Sequence, residues 1–88
     1  IGQPDFPVAP EVQRAAIDAI ASDKNGYTPN RGADALLDTL ASHLKWDLGW
    51  DVSPTGKDER PGVFVTAGTT GGLCAAAMCL LDPGDEII

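Results

Sequence analysis

A helix that is apolar on every side constrains this chain more than any other feature of its sequence. After a run of glycines, residues 73–81 read LCAAAMCLL without a polar side chain. A helix of this kind must be buried on all of its faces. The sequence therefore predicts a central helix from about Thr70 to Leu81, with a sheet on one side and other elements on the other. Cys74 and Cys79, whose spacing is typical of neither a zinc site nor a disulfide framework, are expected to be buried thiols within it.

The rest of the chain offers too little to cover such a helix. Amphipathic patterns predict one helix from Pro10 to about Ser22 and another from about Ala33 to Leu48, with Gly49 as its C-cap. The polar residues 51–62 are expected to form a surface connection. The 88 residues, which begin without Met, are therefore expected to be a fragment of a larger α/β protein.

Two short strands are predicted on either side of the apolar helix. Val63–Thr66 is β-branched and aromatic, and Glu86–Ile88 follows a turn at Asp82–Asp85. Strand, helix, turn and strand in this order form a βαβ unit, whose two strands are normally parallel.

The glycine-rich start of the apolar helix, GTTGG at residues 68–72, predicts an anion site. A helix N-terminus carries unpaired N–H groups and a partial positive charge, which suit phosphate. The spacing matches neither the dinucleotide fingerprint nor the Walker pattern. The alternative is structural, with Thr69 or Thr70 as an N-cap and the glycines serving close packing.

Charge and hydropathy exclude two classes of partner. Thirteen acidic residues against six basic ones give a net charge of −7, which argues against a nucleic-acid or anionic-membrane surface. No apolar run approaches the ~20 residues of a membrane span, and no secretory leader is visible, so we expect a cytoplasmic protein.

Four segments in register carry a resemblance to a known family. They are GQPDFP at 2–7, GYTPNRG at 26–32, VTAGTTGGL at 65–73 and LDPGDEII at 81–88. Together they resemble the class I/II aminotransferases, which are pyridoxal-phosphate enzymes of fold type I. The resemblance implies an α/β fold divided into an N-terminal arm, first helix and interface loop at 1–32, a second helix and linker at 33–62, and at 63–88 the first βαβ of the large cofactor domain.

The resemblance also implies roles for five residues. Gly68, Thr69 and Thr70 match the segment that holds the phosphate of pyridoxal 5'-phosphate. Tyr27 matches a tyrosine that reaches the same phosphate in the neighbouring subunit of a homodimer, and Gly2 matches a glycine whose N–H approaches the substrate carboxylate. Tyr27 as an ordinary half-buried aromatic, and Gly2 as part of a proline-rich turn, remain alternatives.

The activity implied is transfer of an amino group between an amino acid and a 2-oxo acid. The Schiff-base lysine of the resembled family lies downstream, so this segment is expected to be non-catalytic by itself. One alternative is a carbon–sulfur lyase or cyclopropane-forming synthase of the same fold. The second is a phosphate-binding α/β module without pyridoxal.

Overall fold

Three helices make up the regular structure of residues 2–88. The computed structural model describes residues 2–88, with α1 at Pro10–Ala21, α2 at Asp34–Leu48 and α3 at Gly68–Leu80. All three helices predicted from the sequence are confirmed, each within two residues of its predicted ends.

The helix ends follow their local chemistry. Pro10 opens α1, where its missing N–H costs nothing because that position has no intrahelical acceptor. Gly49 ends α2 in the left-handed conformation at φ 69°, and its N–H donates to the carbonyl of Lys45. Glycine adopts this backbone geometry without a Cβ clash, so the predicted C-cap is confirmed.

A small core lies on one face of α2. Leu37 and Ala41 are buried there, together with Ser53 from the segment that follows the helix. The Ser53 N–H donates to the carbonyl of Pro61, and the Ser53 hydroxyl accepts from the N–H of Gly56. Residues 51–62, predicted as a surface connection, are therefore partly buried and folded back on themselves.

The predicted βαβ unit is not found in residues 2–88. Val63–Thr66 forms no strand, and the β pairing described is one isolated parallel bridge between Ser53 and Gly62. Val65 instead donates its N–H to the carbonyl of Arg31, at 2.8 Å. Two short parallel strands form a weak ladder, because stable sheets need three or more strands or a covering layer.

The predicted burial of α3 is also wrong for the part of the chain that the structure describes. No residue of α3 is buried, and Leu73, Met78 and Leu80 are largely exposed. Cys74 and Cys79, expected to be buried, are exposed thiols. The reason is the absence of a partner, since no helix of residues 2–88 packs against another.

The length and apolar surface of α1, α2 and α3 bear on whether any of them could cross a membrane. Between residues 2 and 88, none combines the length and the apolar surface that a bilayer crossing requires.

Candidate functional site

The candidate site is the turn that leads into α3. Gly68 begins the helix at φ +68°, a left-handed conformation that favours glycine. Two hydrogen bonds fix this turn: the Gly68 N–H donates to the Thr66 carbonyl at 2.8 Å, and the Thr66 hydroxyl donates to the Gly68 carbonyl at 3.0 Å. The glycine is therefore required by the backbone, and Thr66 holds it in place.

The interpretation of Thr69 or Thr70 as the N-cap is wrong. Ala67 occupies that position, and no side chain caps the helix. A methyl side chain cannot accept a hydrogen bond, so the N-terminal donors of α3 receive no capping oxygen. Both threonines lie within the first helical turn and are exposed.

The start of α3 is more open than the starts of the other helices. In α1 the N–H of Val12 donates to Ala9, and in α2 the N–H of Leu36 donates to Ala33. The equivalent residue of α3 is Thr70, and within residues 2–88 its N–H makes no such bond to the carbonyl of Ala67. The first turn of α3 thus presents donors that suit an anion.

The close-packing role considered for the glycines applies to Gly72. A Cβ placed on this residue would lie 3.1 Å from the hydroxyl oxygen of Thr66. The absence of a side chain at Gly72 lets Thr66 reach the Gly68 carbonyl beside it. Gly72 therefore supports the turn through packing, whereas Gly68 supports it through its backbone conformation.

The structure does not bring Tyr27 or Gly2 to this turn. Tyr27 lies in the loop between α1 and α2, and its side chain is fully exposed. Gly2 is also exposed, at φ +84°, with open space where a side chain would stand. Neither residue contacts Gly68–Thr70 of its own chain within residues 2–88.

Sequence reasoning missed Arg31, which follows Tyr27 in the same loop. Its guanidinium carbon lies 4.5 Å from the centre of the Phe64 ring, in a cation–π arrangement. Its Nη1 atom is buried and has no hydrogen-bond partner among residues 2–88. The sequence feature that could have indicated this contact is the pair of glycines at 56 and 62, which leave room for the guanidinium. Glycines are common in loops, so they did not by themselves predict it.

An exposed ion-pair network closes the loop at residues 51–62. Arg60 pairs with Asp58 at 2.8 Å and with Asp51 at 3.1 Å, and Lys45 approaches Asp51 at 3.4 Å. The hydrogen bond from Arg60 is the main cause that lowers the pKa of each carboxyl, and Lys45 adds to the effect at Asp51. The same contacts raise the pKa of Arg60.

His43 also contacts a carboxylate, although it lies away from the candidate site. Its Nε2 is 2.7 Å from a carboxylate oxygen of Asp47, one turn further along α2. The imidazole also meets the edge of Trp46. These contacts lie on the exposed surface of α2. Across residues 2–88, no group of three or more His, Cys, Asp and Glu side chains is placed to hold a metal ion.

Known proteins that resemble this chain are aminotransferases. It is 33% identical over all 88 residues to a probable aspartate aminotransferase of Methanocaldococcus jannaschii, covering 22% of that protein. It is 36% identical over 87 residues to the aspartate/prephenate aminotransferase of Thermus thermophilus, covering 21% of it. It is 34% identical over 88 residues to the arginine–pyruvate transaminase of Pseudomonas aeruginosa, also covering 21%.

The similarity extends over the whole chain, but the chain spans only about a fifth of the length of these curated relatives. No protein-family profile matches the chain. No solved structure matches it significantly either.

Proposed function

We propose that these 88 residues are the phosphate-anchoring and interface segment of a pyridoxal-phosphate-dependent aminotransferase that acts as a cytoplasmic homodimer of fold type I. The observation that carries the proposal is similarity along the entire chain to aminotransferases from several organisms. The open first turn of α3 supports it independently, because this turn lies where the resemblance expects the cofactor phosphate.

The residues present fit a phosphate group. The N–H groups of the first turn, the two threonine hydroxyls and the partial positive charge of the helix start all favour an anion. Thr69 and Thr70 would hold the phosphate, whereas Gly68, proposed from the resemblance as a third contact, donates its N–H to the Thr66 carbonyl and would only shape the turn. No carboxylate lies in the first turn to oppose the anion. When bound, pyridoxal phosphate supplies an electron sink for the carbon that carries the amino group.

The reacting amine is proposed to lie elsewhere in the protein. Lys24, Lys45 and Lys57 are all exposed, and Lys45 is engaged with Asp51. An activated lysine needs desolvation or a neighbouring cation to lower its pKa, and the surroundings of these three provide no burial. This segment therefore anchors and orients the cofactor and contributes no nucleophile.

The names of the relatives include aspartate, prephenate and arginine. Such variety leaves the side chain of the substrate unassigned. The proposed substrate pair is an amino acid and a 2-oxo acid.

Absorbance of the complete enzyme tests the cofactor first. A bound pyridoxal should absorb near the visible edge, and borohydride should abolish that band. Conversion to the pyridoxamine form on adding an amino acid is expected for transfer, whereas a lyase or synthase of the same fold would release a product without it. A protein that shows no such band would contradict the whole proposal.

Thr70→Val then tests the phosphate contact. Removing one hydroxyl from a charged acceptor should weaken cofactor binding by about 1–3 kcal/mol. Thr39→Val is the matched control, because the Thr39 hydroxyl donates to the carbonyl of Ala35 within α2. Equal cofactor affinity in wild type and Thr70→Val would argue against the assignment of this hydroxyl.

Tyr27 is proposed to direct its hydroxyl at the cofactor phosphate of the partner subunit. Its full exposure leaves the side chain free for such a contact. Inactive Tyr27→Phe can be mixed with a variant of the Schiff-base lysine. A contact between subunits predicts recovered activity, since one site of each mixed dimer carries neither defect. Failure to recover despite proven subunit exchange would indicate a contact within one chain.

A further inference from the structure

Arg31 links the two parts of the chain that the proposed function assigns to the cofactor. We propose that Arg31 is a positioning residue that fixes the loop carrying Tyr27 to the segment leading into α3. The inference rests on the proposed function, because it concerns the reach of Tyr27 toward the phosphate. It assigns a role to a side chain that does not itself touch the cofactor.

The backbone supplies the first part of this link. The Val65 N–H donates to the Arg31 carbonyl at 2.8 Å. Next in the chain, Gly32 has φ +122°, and a Cβ there would lie 2.8 Å from Cγ2 of Val65. Real Cβ contacts are never this short, so the close approach of loop and segment depends on glycine.

The guanidinium supplies the second part. It stacks over Phe64 on one side, while Gly56 and Gly62 lie close on another. A Cβ on Gly56 would come within 2.8 Å of Nη1, and one on Gly62 within 3.1 Å of Nη2. The space therefore has the shape of a flat guanidinium, which the compact ammonium of a lysine would fill poorly.

The unpaired Nη1 favours a positioning role over a simple ion pair. A buried donor without an acceptor is destabilising, which a residue chosen only for stability would avoid. Asp51 and Asp58 pair with Arg60, and no ion pair joins either of them to Arg31 within residues 2–88. What Arg31 gains is contact area with Phe64 and the two glycines, and this contact joins two segments that are distant in sequence.

The consequence concerns Tyr27 and the turn at Gly68. The N–H of Gly32 donates to the Pro29 carbonyl at 2.9 Å, which closes the loop just after Tyr27. Val65 lies directly before the Thr66–Gly68 turn. Through Arg31 the tyrosine loop and the start of α3 behave as one unit, so the position of one sets the position of the other.

A double-mutant cycle on cofactor affinity tests the proposal in the complete enzyme. Arg31→Met keeps much of the apolar stem but removes the planar cation, and it should weaken pyridoxal phosphate binding about tenfold, the loss of roughly one hydrogen bond. In a Tyr27→Phe background the same change should weaken binding less than about twofold, because the contact that Arg31 positions is already gone. Arg14→Met, on the exposed surface of α1, should leave affinity unchanged in both backgrounds.

A second variant and a second measurement cover the case in which Arg31→Met fails to fold. Gly62→Ala displaces the guanidinium without removing it. Its loss of cofactor affinity should also be non-additive with that of Tyr27→Phe, but smaller than the loss in Arg31→Met. In the cofactor-free protein, hydrogen exchange at the Val65 amide should become faster in either variant, whereas exchange within α1 should not change.

Three outcomes would overturn the inference, and one of them also removes the proposed function. Equal losses of affinity with and without the Tyr27 hydroxyl would reduce Arg31 to a general stabilising residue. Unchanged affinity in Arg31→Met would exclude the link altogether. A wild-type protein that binds no pyridoxal phosphate would refute the proposed function and this inference together, while normal binding without coupling refutes this inference alone.

Discussion

The burial of α2 and α3 is the opposite of what the apolar content of their sequences predicts. α3 is the more apolar, yet none of its residues is buried, whereas α2 carries many charged side chains and buries Leu37 and Ala41. The difference lies in what stands opposite each helix. Residues 53–65 fold back beside α2, and no element of residues 2–88 does the same for α3. An apolar sequence thus indicates that a helix needs to be buried, but burial itself depends on another element that packs against the helix.

The largest effect is expected when the 88 residues are expressed alone. With apolar surface exposed along α3, and with Leu37 and Ala41 as the buried apolar residues among 2–88, the chain should be disordered or aggregated. A complete domain of this size buries only about 60–65% of its unfolded surface, which is already marginal. Circular dichroism during heating and NMR dispersion are the measurements. A sharp cooperative melt of a monomer would contradict this contrast between α2 and α3, because α3 would then be stable without a packing partner.

Truncation of the small core should have the next largest effect. Leu37→Ala in the complete protein should lower the free energy of unfolding by about 2–5 kcal/mol, since a fully buried leucine leaves a cavity. Leu36→Ala, its half-exposed neighbour on the same helix, is the control and should cost much less. Leu80→Ala sharpens the comparison: a loss as large as that of Leu37→Ala would mean that α3 is covered in the complete protein. Denaturant unfolding measures all three.

Gly32→Ala should destabilise the protein by about 1–3 kcal/mol, through its positive φ and the clash with Val65. The matched control is Gly26→Ala in the same loop, where a Cβ meets nothing and φ lies outside the left-handed range. Thermal unfolding of the two variants separates them. Equal melting temperatures would mean that the contact between Gly32 and Val65 adds no stability to the part of the chain that packs beside α2.

Acid should have the smallest effect, confined to residues 51–62. The pKa values of Asp51 and Asp58 are lowered in the folded chain, so their contribution is complete at neutral pH. It is lost as the pH falls below 3.8 through the folded pKa values, since protonation breaks both pairs with Arg60. The protection of this loop against hydrogen exchange, taken relative to the intrinsic rate at the same pH, should then fall, while that of α2 should not change. Arg60→Gln should remove most of the pH dependence and leave the part that Lys45 contributes at Asp51.

Local patterns in the sequence predicted the helices well, and they did so for physical reasons. Pro10 at a helix start and Gly49 at a helix end act through their own backbone geometry, which needs no distant partner. The positive φ of Gly68 is a local property of the same kind, because glycine adopts it without a Cβ clash. What the candidate site binds, and the roles of Tyr27 and Gly2, remain predictions.

Features that depend on distant residues were not predictable in this way. A strand at Val63–Thr66 needs a hydrogen-bonded neighbour, and in residues 2–88 its amide at Val65 pairs with a loop instead. The burial of Ser53 and the stacking of Arg31 on Phe64 likewise join residues whose proximity no spacing rule gives. In each case the determining contact is tertiary.

The hydrogen bond between Arg31 and Val65 also has a consequence for the order of folding. All of α2 lies between these two residues, so joining them means closing a long loop, whose entropic cost rises with its flexible length. A helix forms in about a microsecond or less, and once α2 is formed it replaces a flexible coil with a short rigid rod. Early formation of α2 is therefore expected to speed the closure that brings the loop carrying Tyr27 to the segment at Val65.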